Sequence, residues 1–256
     1  MDKKRKLAVL PENYDTYVFD LYGTLVDIRT DEERKEVWQK LALFYGYYGA
    51  CYEPGELWDR YEALVAGRER ALKATLEQEP RYAHEASPEI EITEVFLALF
   101  EEKNVTADRA LAVHAGQFFR ILTTEYVRVY PGTEKMLAHL KALGKRIYLL
   151  SNAQRIFTAH EMRVLKIADW FDDIFISSDY RTKKPDIRFF RALTEKHGIC
   201  GEKTLFVGND SRTDIAGAAQ AGMDTFYVRS DISPENDCGD AADYQVDDFE
   251  EWHVVE

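Results

Sequence analysis

Five short apolar runs constrain the fold of this chain more than any other feature of its sequence. Each run has three to five residues, rich in β-branched or aromatic side chains, which is typical of buried strands. Stretches with helical periodicity separate the runs that follow the first. The runs are Tyr17–Phe19, Arg146–Leu150, Ile174–Ile176, Thr204–Val207 and Thr225–Val228. This alternation predicts an α/β fold, a Rossmann-like doubly wound parallel sheet with helices on both faces.

The helical stretches after residue 129 have recognisable ends. Thr133–Leu143 carries its apolar residues on one face and is followed by Gly144, which is typical of a helix C-terminus. Ile156–Ile167 has a similar pattern, and Arg188–His197 is also followed by a glycine. Near the end of the chain, Tyr244–Val246 predicts a further strand at the edge of the sheet.

Residues 29–128 differ in character from the rest of the chain. They contain no convincing strand, and their periodicity indicates a series of helices. The predicted helices are Glu32–Tyr48, Pro54–Gln78, Glu91–Lys103 and Ala107–Arg128. We therefore predict two domains: an α/β core made of residues 1–28 and 129–256, and a helical cap made of residues 29–128. A helical block inserted after the first strand would form a lid over the strand ends.

The composition of the chain excludes several classes of protein. A hydrophobic content of 46% in 256 residues is enough for a globular enzyme and too high for disorder. A net charge of -13 would repel a phosphate backbone, so no nucleic-acid partner is expected, and the basic run at residues 3–6 is interpreted as a solvated tail.

The expected location of the protein follows from two further features. No apolar stretch is long enough to cross a membrane, and the start of the chain lacks the pattern of a secretion signal. The three cysteines, Cys51, Cys200 and Cys238, are scattered and lack the spacing of a metal site. We therefore expect reduced thiols in a cytoplasmic protein with no membrane partner.

Polar residues follow four of the five apolar runs. A carboxylate after one strand is commonly a helix N-cap, and for Asp20 alone that interpretation is as good as a catalytic one. Because the carboxyl ends of parallel strands meet at one edge of a sheet, four such clusters in order instead predict a shared site. The clusters are Asp20, Ser151–Asn152, Lys183–Lys184–Pro185, and Asn209–Asp210 with Asp214.

The order of these clusters resembles the four motifs of the haloacid dehalogenase superfamily of hydrolases. The family has an aspartate before x-Asp-Gly-Thr, a strand ending in Ser/Thr-Asn, a Lys-Pro pair, and a glycine with acidic residues before Asp-Ile-x-Gly-Ala. The matching segments are Asp20–Thr24, Ser151–Asn152, Lys184–Pro185 and Gly208–Ala218. The resemblance covers residues 15–28 and about 129–230, whereas the helical insert resembles the family in position and character only.

The resemblance implies a Mg²⁺-dependent phosphohydrolase acting on a small phosphorylated metabolite. Asp20 would be the nucleophile and form an aspartyl phosphate, which divides one hard displacement into two easier steps. Asp20, Asp210 and the backbone carbonyl of Tyr22 would ligate Mg²⁺, an ion that prefers oxygen ligands and keeps several waters. Asp214 would ligate through water or support the site.

The remaining motif residues would handle the phosphoryl group. By resemblance, Lys184 would steady Asp20 and the phosphoryl oxygens, and Lys183 would replace it only if the loop register shifted. Ser151 would hold a transferring oxygen. The predicted substrate-binding residues beside it are Asn152, Thr24 and Gly23.

Tyr22 departs from the phosphatase pattern, which has an aspartate acid/base two residues after the nucleophile. A tyrosine with an ordinary pKa near 10 is a poor base at neutral pH. Three interpretations stay open: a phosphatase using another base, a 2-haloacid dehalogenase, which characteristically has Asp-x-Tyr-Gly-Thr and needs no metal, or a weakly catalytic member. Dehalogenases typically lack the acidic fourth cluster, which Asp210 and Asp214 retain, and residues 37–41 lack the arginine expected to hold a substrate carboxylate.

The helical lid is expected to set specificity, because a lid closes over the site and excludes water. Its tyrosines at helical spacing are interpreted mainly as packing residues rather than as a binding box. These are Tyr45, Tyr47, Tyr48, Tyr52 and Tyr61. The loop of residues 81–85 lies between lid helices and would be free to face a substrate.

Overall fold

The computed structural model describes residues 5–6, 10–80 and 86–246. The loop of residues 81–85, and Lys3 and Lys4 of the basic run, lie outside the described residues. The three cysteines are free and exposed. Within the described part of the chain, no helix is long and apolar enough to cross a membrane.

The centre of the molecule is a parallel sheet with strand order β1-β9-β8-β7-β2-β5-β6. A second, two-stranded antiparallel sheet pairs β3 with β4. The strands are β1 (Arg5–Lys6), β2 (Thr16–Phe19), β3 (Val26–Thr30), β4 (Thr124–Val129), β5 (Arg146–Ser151), β6 (Asp173–Ile176), β7 (Thr204–Gly208), β8 (Asp224–Val228) and β9 (Tyr244–Val246). The five apolar runs are all strands of the parallel sheet, so the predicted α/β class is confirmed.

Helices connect these strands and cover the sheet. They are α1 (Lys35–Tyr47), α2 (Pro54–Leu76), α3 (Ile92–Glu102), α4 (Arg109–Thr123), α5 (Thr133–Ala142), α6 (Arg155–Val164), α7 (Ser177–Tyr180), α8 (Ile187–His197) and α9 (Ala216–Gln220). A π-helical turn, Ser211–Ile215, precedes α9, and 3₁₀ turns lie at Ala168–Trp170 and Gly201–Lys203. The helices predicted after residue 129 are all present within three residues of their predicted ends.

The alternation of side chains along each strand builds a separate core on each face of the sheet. On one face, Phe19, Leu149 and Val207 pack with Leu137 of α5. On the other face, residues one position away, such as Val18, Leu150 and Phe206, pack with Phe190 of α8. Both faces of β2, β5 and β7 are therefore buried, which explains why these strands are apolar without polar alternation.

The helical stretch α1–α4 has a hydrophobic cluster of its own, which includes Trp38, Tyr61, Phe96 and Phe119. Apolar residues at helical spacing place these rings on facing sides of the four helices. The division of the chain at residues 28 and 129 stays a prediction.

The predicted helix Ala107–Arg128 is wrong in its last part, because residues 124–129 form β4. β4 pairs with β3, a strand that the sequence did not predict, in the register Val26–Val129 and Ile28–Val127. Thr124, Val127 and Val129 suit a strand, but the decisive contact is the pairing with a segment about a hundred residues earlier.

The predicted strand Tyr244–Val246 is present as β9, but it is not at the edge of the sheet. It lies between β8 and β1, because Arg5–Lys6 pairs with Tyr244 and Gln245. A two-residue strand in a charged segment has no pattern of its own, so only the pairing identifies it.

Candidate active site

The strand order reverses at β2, and this reversal determines where the polar clusters meet. From β2 the chain moves outward through β5 and β6, and then returns to β7 on the other side of β2. The carboxyl ends at such a switch point separate and leave a crevice, the usual ligand site of an open α/β sheet. Asp20 follows β2 and Asp210 lies just beyond β7, so both carboxylates flank this crevice.

Lys184 connects two of the predicted acidic residues. Its Nζ lies 2.6 Å from Asp20 Oδ1 and 2.7 Å from Asp214 Oδ1. The side chains of Lys184, Asp20 and Asp214 are exposed by only 1%, 10% and 2%, so water screens these ion pairs little. Lys183 instead points toward Glu69, at 3.8 Å. The structure therefore places Lys184, and not its neighbour, at Asp20.

The environment of Lys184 keeps it charged. Burial alone would lower its pKa, but the charges of Asp20 and Asp214 raise the pKa above the ordinary value. For Asp214 burial has the larger effect and raises the pKa to about 6, although Lys184 opposes this. Lys184 is therefore an ammonium, because a carboxylate on each side stabilises its charge.

Asn152 fixes the loop that carries the lysine. Its side-chain amide donates to Lys184 O at 3.0 Å, and its Oδ1 accepts from Lys184 N at 2.8 Å. Ser151, at the end of β5, lies beside it in the crevice. Its hydroxyl is buried without a hydrogen-bond partner among the described residues. Such a group is costly unless a ligand or water satisfies it, so the geometry suits an oxygen of a bound anion.

The turn after β7 is held by Asp214. Asp214 Oδ2 accepts from the backbone amides of Asn209 and Asp210, at 3.0 and 3.1 Å. Gly208 makes this approach possible, because a Cβ there would overlap the Asp214 side chain. Since both oxygens of Asp214 are engaged, the geometry favours its supporting role over direct metal ligation.

Thr24 and Gly23 do not line the cleft; they contact Asn209, which does. Thr24 is fully buried and donates to Asn209 Oδ1 at 3.4 Å, a long hydrogen bond. Gly23 has φ of 82° and lies so close to Asn209 that a Cβ would overlap the Asn209 amide. A residue with a side chain is therefore excluded at this turn. Substrate contact by Thr24 and Gly23 stays a prediction.

The hydroxyl of Tyr22 is directed to the helices. It donates to Glu161 Oε2 of α6 at 2.5 Å and lies 3.1 Å from Thr158 Oγ1. Glu161 also accepts from Arg120 of α4, at 2.7 and 3.2 Å. Burial, followed by the charge of Glu161, raises the pKa of Tyr22. The phenol is therefore protonated at neutral pH and cannot act as a general base.

These residues line a cleft of about 230 Å³. The lining residues are Asp20, Tyr22, Ser151, Asn152, Lys184, Asn209, Asp210, Thr213, Asp214, Ile232 and Pro234. Seven of the nine candidate residues from the sequence thus lie together. The sequence did not identify Thr213, Ile232 or Pro234, although an isoleucine within the polar stretch of residues 230–237 is a weak signal. It also gave no indication of Glu161, which lies 139 residues from its partner Tyr22.

The oxygen atoms in the cleft fit a hard cation. Asp20 uses Oδ1 for Lys184, and Asp210 uses Oδ1 for the amides of Arg212 and Thr213. The second oxygen of each carboxylate has no hydrogen-bond partner in the described part of the chain. Within the same residues, no group of three His, Cys, Asp or Glu side chains could hold a metal alone. An ion here would need backbone oxygens and water, as Mg²⁺ commonly does.

Comparison with known proteins gives a family match over most of the chain. The family described as haloacid dehalogenase-like hydrolase matches residues 14–222. This range includes all four motifs and the helices α1–α4.

Several named proteins are similar to this chain. Glyceraldehyde 3-phosphate phosphatase of Methanothermobacter thermautotrophicus is 33% identical over 107 residues, covering 42% of this chain and 47% of the relative. Phosphoglycolate phosphatase of Vibrio cholerae is 28% identical over 209 residues and covers 81% of each chain. The chain spans about half the length of the first curated relatives it matches.

A solved structure with the same fold is a HAD phosphatase from Thermococcus onnurineus. Its TM-score is 0.55 at 17% identity, covering 91% of this chain and 93% of that one. At this identity the similarity shows the fold alone.

Proposed function

This chain belongs to the haloacid dehalogenase-like hydrolase family, and on that premise we propose that it is a Mg²⁺-dependent phosphohydrolase acting on a small phosphorylated metabolite. Two relatives are named as phosphatases of small phosphorylated compounds. The observation that carries the proposal is the ammonium of Lys184, 2.6 Å from Asp20 in a cleft that also holds Asp210. A carboxylate can attack an anionic phosphate only when positive charge compensates the repulsion.

In the first step, Asp20 bonds to the phosphorus as the ester P–O bond breaks. The carboxylate oxygen not held by Lys184 is free for the attack. The leaving oxygen departs as an anion and takes a proton from water. The Ser151 hydroxyl donates to a phosphoryl oxygen, which satisfies a group otherwise left without a partner. The product of this step is an aspartyl phosphate on Asp20.

In the second step, water attacks the phosphorus, the bond to Asp20 breaks, and a proton of that water passes to solvent, which replaces the proton taken by the leaving oxygen in the first step. Phosphate leaves and the carboxylate is regenerated. Tyr22 cannot take the proton from this water, because its own proton is held by Glu161 and its pKa is raised by burial. Since the proton of Tyr22 is equally unavailable to the leaving oxygen in the first step, the enzyme favours substrates with good leaving groups and turns over slowly with poor ones.

Asp20, Asp210 and the backbone carbonyl of Tyr22 would hold the metal. When bound, Mg²⁺ would neutralise charge on the phosphoryl oxygens and so lower the barrier for an anionic nucleophile. Asp214 acts here as a positioning residue, since it holds Lys184 and the backbone amides of Asn209 and Asp210.

We also propose that residues 29–128 act as the cap of this site. The support is the separate hydrophobic cluster of α1–α4 and the contact of Arg120 with Glu161, which joins α4 to the helix beside Tyr22.

A second candidate is a 2-haloacid dehalogenase, and Tyr22 is the observation that favours it. In that reaction Asp20 would displace halide from carbon and form an ester, which water hydrolyses at the carbonyl carbon without a phosphatase-type acid. The retained Asp210, with one oxygen free for a cation, favours the phosphatase.

The test measures two activities of the same preparation. We expect phosphate release from 4-nitrophenyl phosphate with Mg²⁺, its loss in EDTA, and its recovery when Mg²⁺ returns. Chloride release from 2-chloropropionate that persists in EDTA would overturn the phosphatase in favour of the dehalogenase. Absence of both activities would identify a weak or non-catalytic member of the family.

A further inference from the structure

Two aliphatic residues form one wall of the polar cleft. Of the side chains that line it, Ile232 and Pro234 are the only aliphatic ones, and both follow β8. No residue of the described part of 29–128 lines this cleft. We propose, on the basis of the phosphohydrolase function above, that this wall selects phosphate esters whose leaving group presents an apolar carbon face.

Ile232 lies beside the turn that follows Asp20. A Cβ added to Gly23 would lie 2.8 Å from Ile232 Cγ1, so the isoleucine packs over the turn that follows Asp20. Ile232 is nevertheless 41% exposed, which leaves apolar surface for a ligand to cover. Asp20 and this surface line the same cleft, so a phosphate ester bound at Asp20 would share the cleft with Ile232.

The loop that carries Ile232 is fixed from two sides. Asp231 accepts from the Tyr130 hydroxyl at 2.8 Å, which ties the loop to the segment after β4. Asp237 accepts from Ser211 N at 2.7 Å, and Ser230 accepts from the Asn209 amide at 3.3 Å. Ser230 N also donates to Ser233 Oγ at 3.0 Å within the loop. Because these hydrogen bonds hold the loop to the turn after β7, Ile232 keeps its place relative to Asp20, as a selective surface must.

The wall has a defined chemical preference. An aliphatic surface gains free energy when a carbon face covers it, and it offers no hydrogen bond to a hydroxyl-rich group. A polyol or sugar in the same place would lose water without replacing its hydrogen bonds. The site therefore prefers aryl or alkyl phosphates over polyhydroxylated ones, a difference that a hydrophobic surface typically makes about tenfold.

The test compares 3-ethylphenyl phosphate with 3-(hydroxymethyl)phenyl phosphate, whose leaving groups are alike in size and basicity. We expect kcat/KM of the wild type to favour the ethyl compound about tenfold. Ile232→Thr should reduce this ratio to about threefold or less, through a lower kcat/KM for the ethyl compound. Ile232→Leu should keep the ratio, and Ile121→Thr, at an exposed position on α4, serves as the matched control.

Two results would overturn the proposed preference for apolar leaving groups. One is a wild-type ratio near or below one, and the other is an Ile232→Thr variant that loses activity equally on both compounds. A wild type that hydrolyses no phosphate ester with Mg²⁺ would instead contradict the proposed function on which the wall depends. Circular dichroism of each variant establishes that it is folded.

Discussion

The carboxyl ends of the central strands and the interior of the helices α1–α4 both bury their side chains, but with opposite chemistry. At the strand ends, buried charges dominate: Lys184 Nζ lies between Asp20 Oδ1 and Asp214 Oδ1, at 2.6 and 2.7 Å. Among the helices, the interior is aromatic, and the rings of Tyr61 and Phe119 lie 5.5 Å apart between centroids.

The difference shows how one chain separates reactivity from stability. Buried charges are costly, so they persist where neighbouring groups hold them and where a ligand would use them. An aromatic interior instead stabilises through burial and ring contacts and presents no reactive group. The residues that line the cleft accordingly come from the carboxyl ends of the strands and from the loops that follow them.

The tyrosines of the helical stretch fit this division only in part. Tyr45, Tyr52 and Tyr61 are buried, and the hydroxyls of the first two donate to backbone carbonyls. Tyr47, however, is 85% exposed, so the expectation that it packs in the interior is wrong. Tyr48 is 43% exposed, and its ring still packs against Phe44, 5.2 Å away between centroids. Both lie at the end of α1, where helical spacing alone does not reveal which face is covered.

The largest expected effect is a loss of activity at the carboxyl end of β2. Asp20→Asn should lower kcat/KM for an aryl phosphate by about 10⁴ or more, because the neutral amide cannot attack phosphorus. Steady-state kinetics with Mg²⁺ measures this. Asp15→Asn, an exposed position at the other end of β2, is the matched control and should be near wild type. An Asp20→Asn variant with a tenth of the activity would assign the nucleophile elsewhere.

The second effect is confined to the helices. Phe96→Ala should lower the free energy of unfolding by about 4 kcal/mol, because Phe96 is fully buried against Phe119 and Tyr61. Urea denaturation measures the loss. Leu43→Ala, at a 75% exposed position on α1, should change it by less than about 0.5 kcal/mol. The kcat of folded Phe96→Ala should stay near wild type, and its collapse would break the separation of the two regions.

The third effect lies where the two regions meet. Arg120→Met should cost about 3 kcal/mol, because it leaves the buried carboxylate of Glu161 without its cation. Combining it with Glu161→Gln should restore part of the loss in a double-mutant cycle. The exposed pair of Lys73 and Glu77 is the control, with a cost below about 1 kcal/mol for Lys73→Met. Equal costs for the two pairs would show that Arg120 is not a buried tether.

The smallest effect is a pH dependence at Glu89, which reaches the core from the segment before α3. Burial raises the pKa of Glu89, although Ser177 and Gln154 donate to it. Because the folded pKa is the higher one, the protonated folded state gains stability at low pH, and this contribution is lost as pH rises through the raised pKa. Urea midpoints between pH 4 and 8 should therefore fall more steeply for wild type than for Glu89→Gln. A steeper fall in the variant would contradict the assignment.

Much of the site could be predicted from sequence because its residues follow strands of the sheet. Asp20, Ser151 and Lys184 each stand in or just beyond a motif with a recognisable local pattern. The parallel sheet then brings these loops together without further information. Metal ligation and substrate contacts stay predictions, since they concern atoms that the chain itself does not contain.

The sequence by itself determined the order of the five apolar strands and of the helices that follow residue 129, the polar clusters that end the strands, and the family. These depend on local periodicity and on spacing along the chain, which a single sequence records. Only the tertiary structure decided that β3 pairs with β4, that Tyr22 donates to Glu161, and that Ile232 lies over Gly23. Each of these contacts joins segments about a hundred residues apart or more, and the free energy that selects it arises only when the chain has folded.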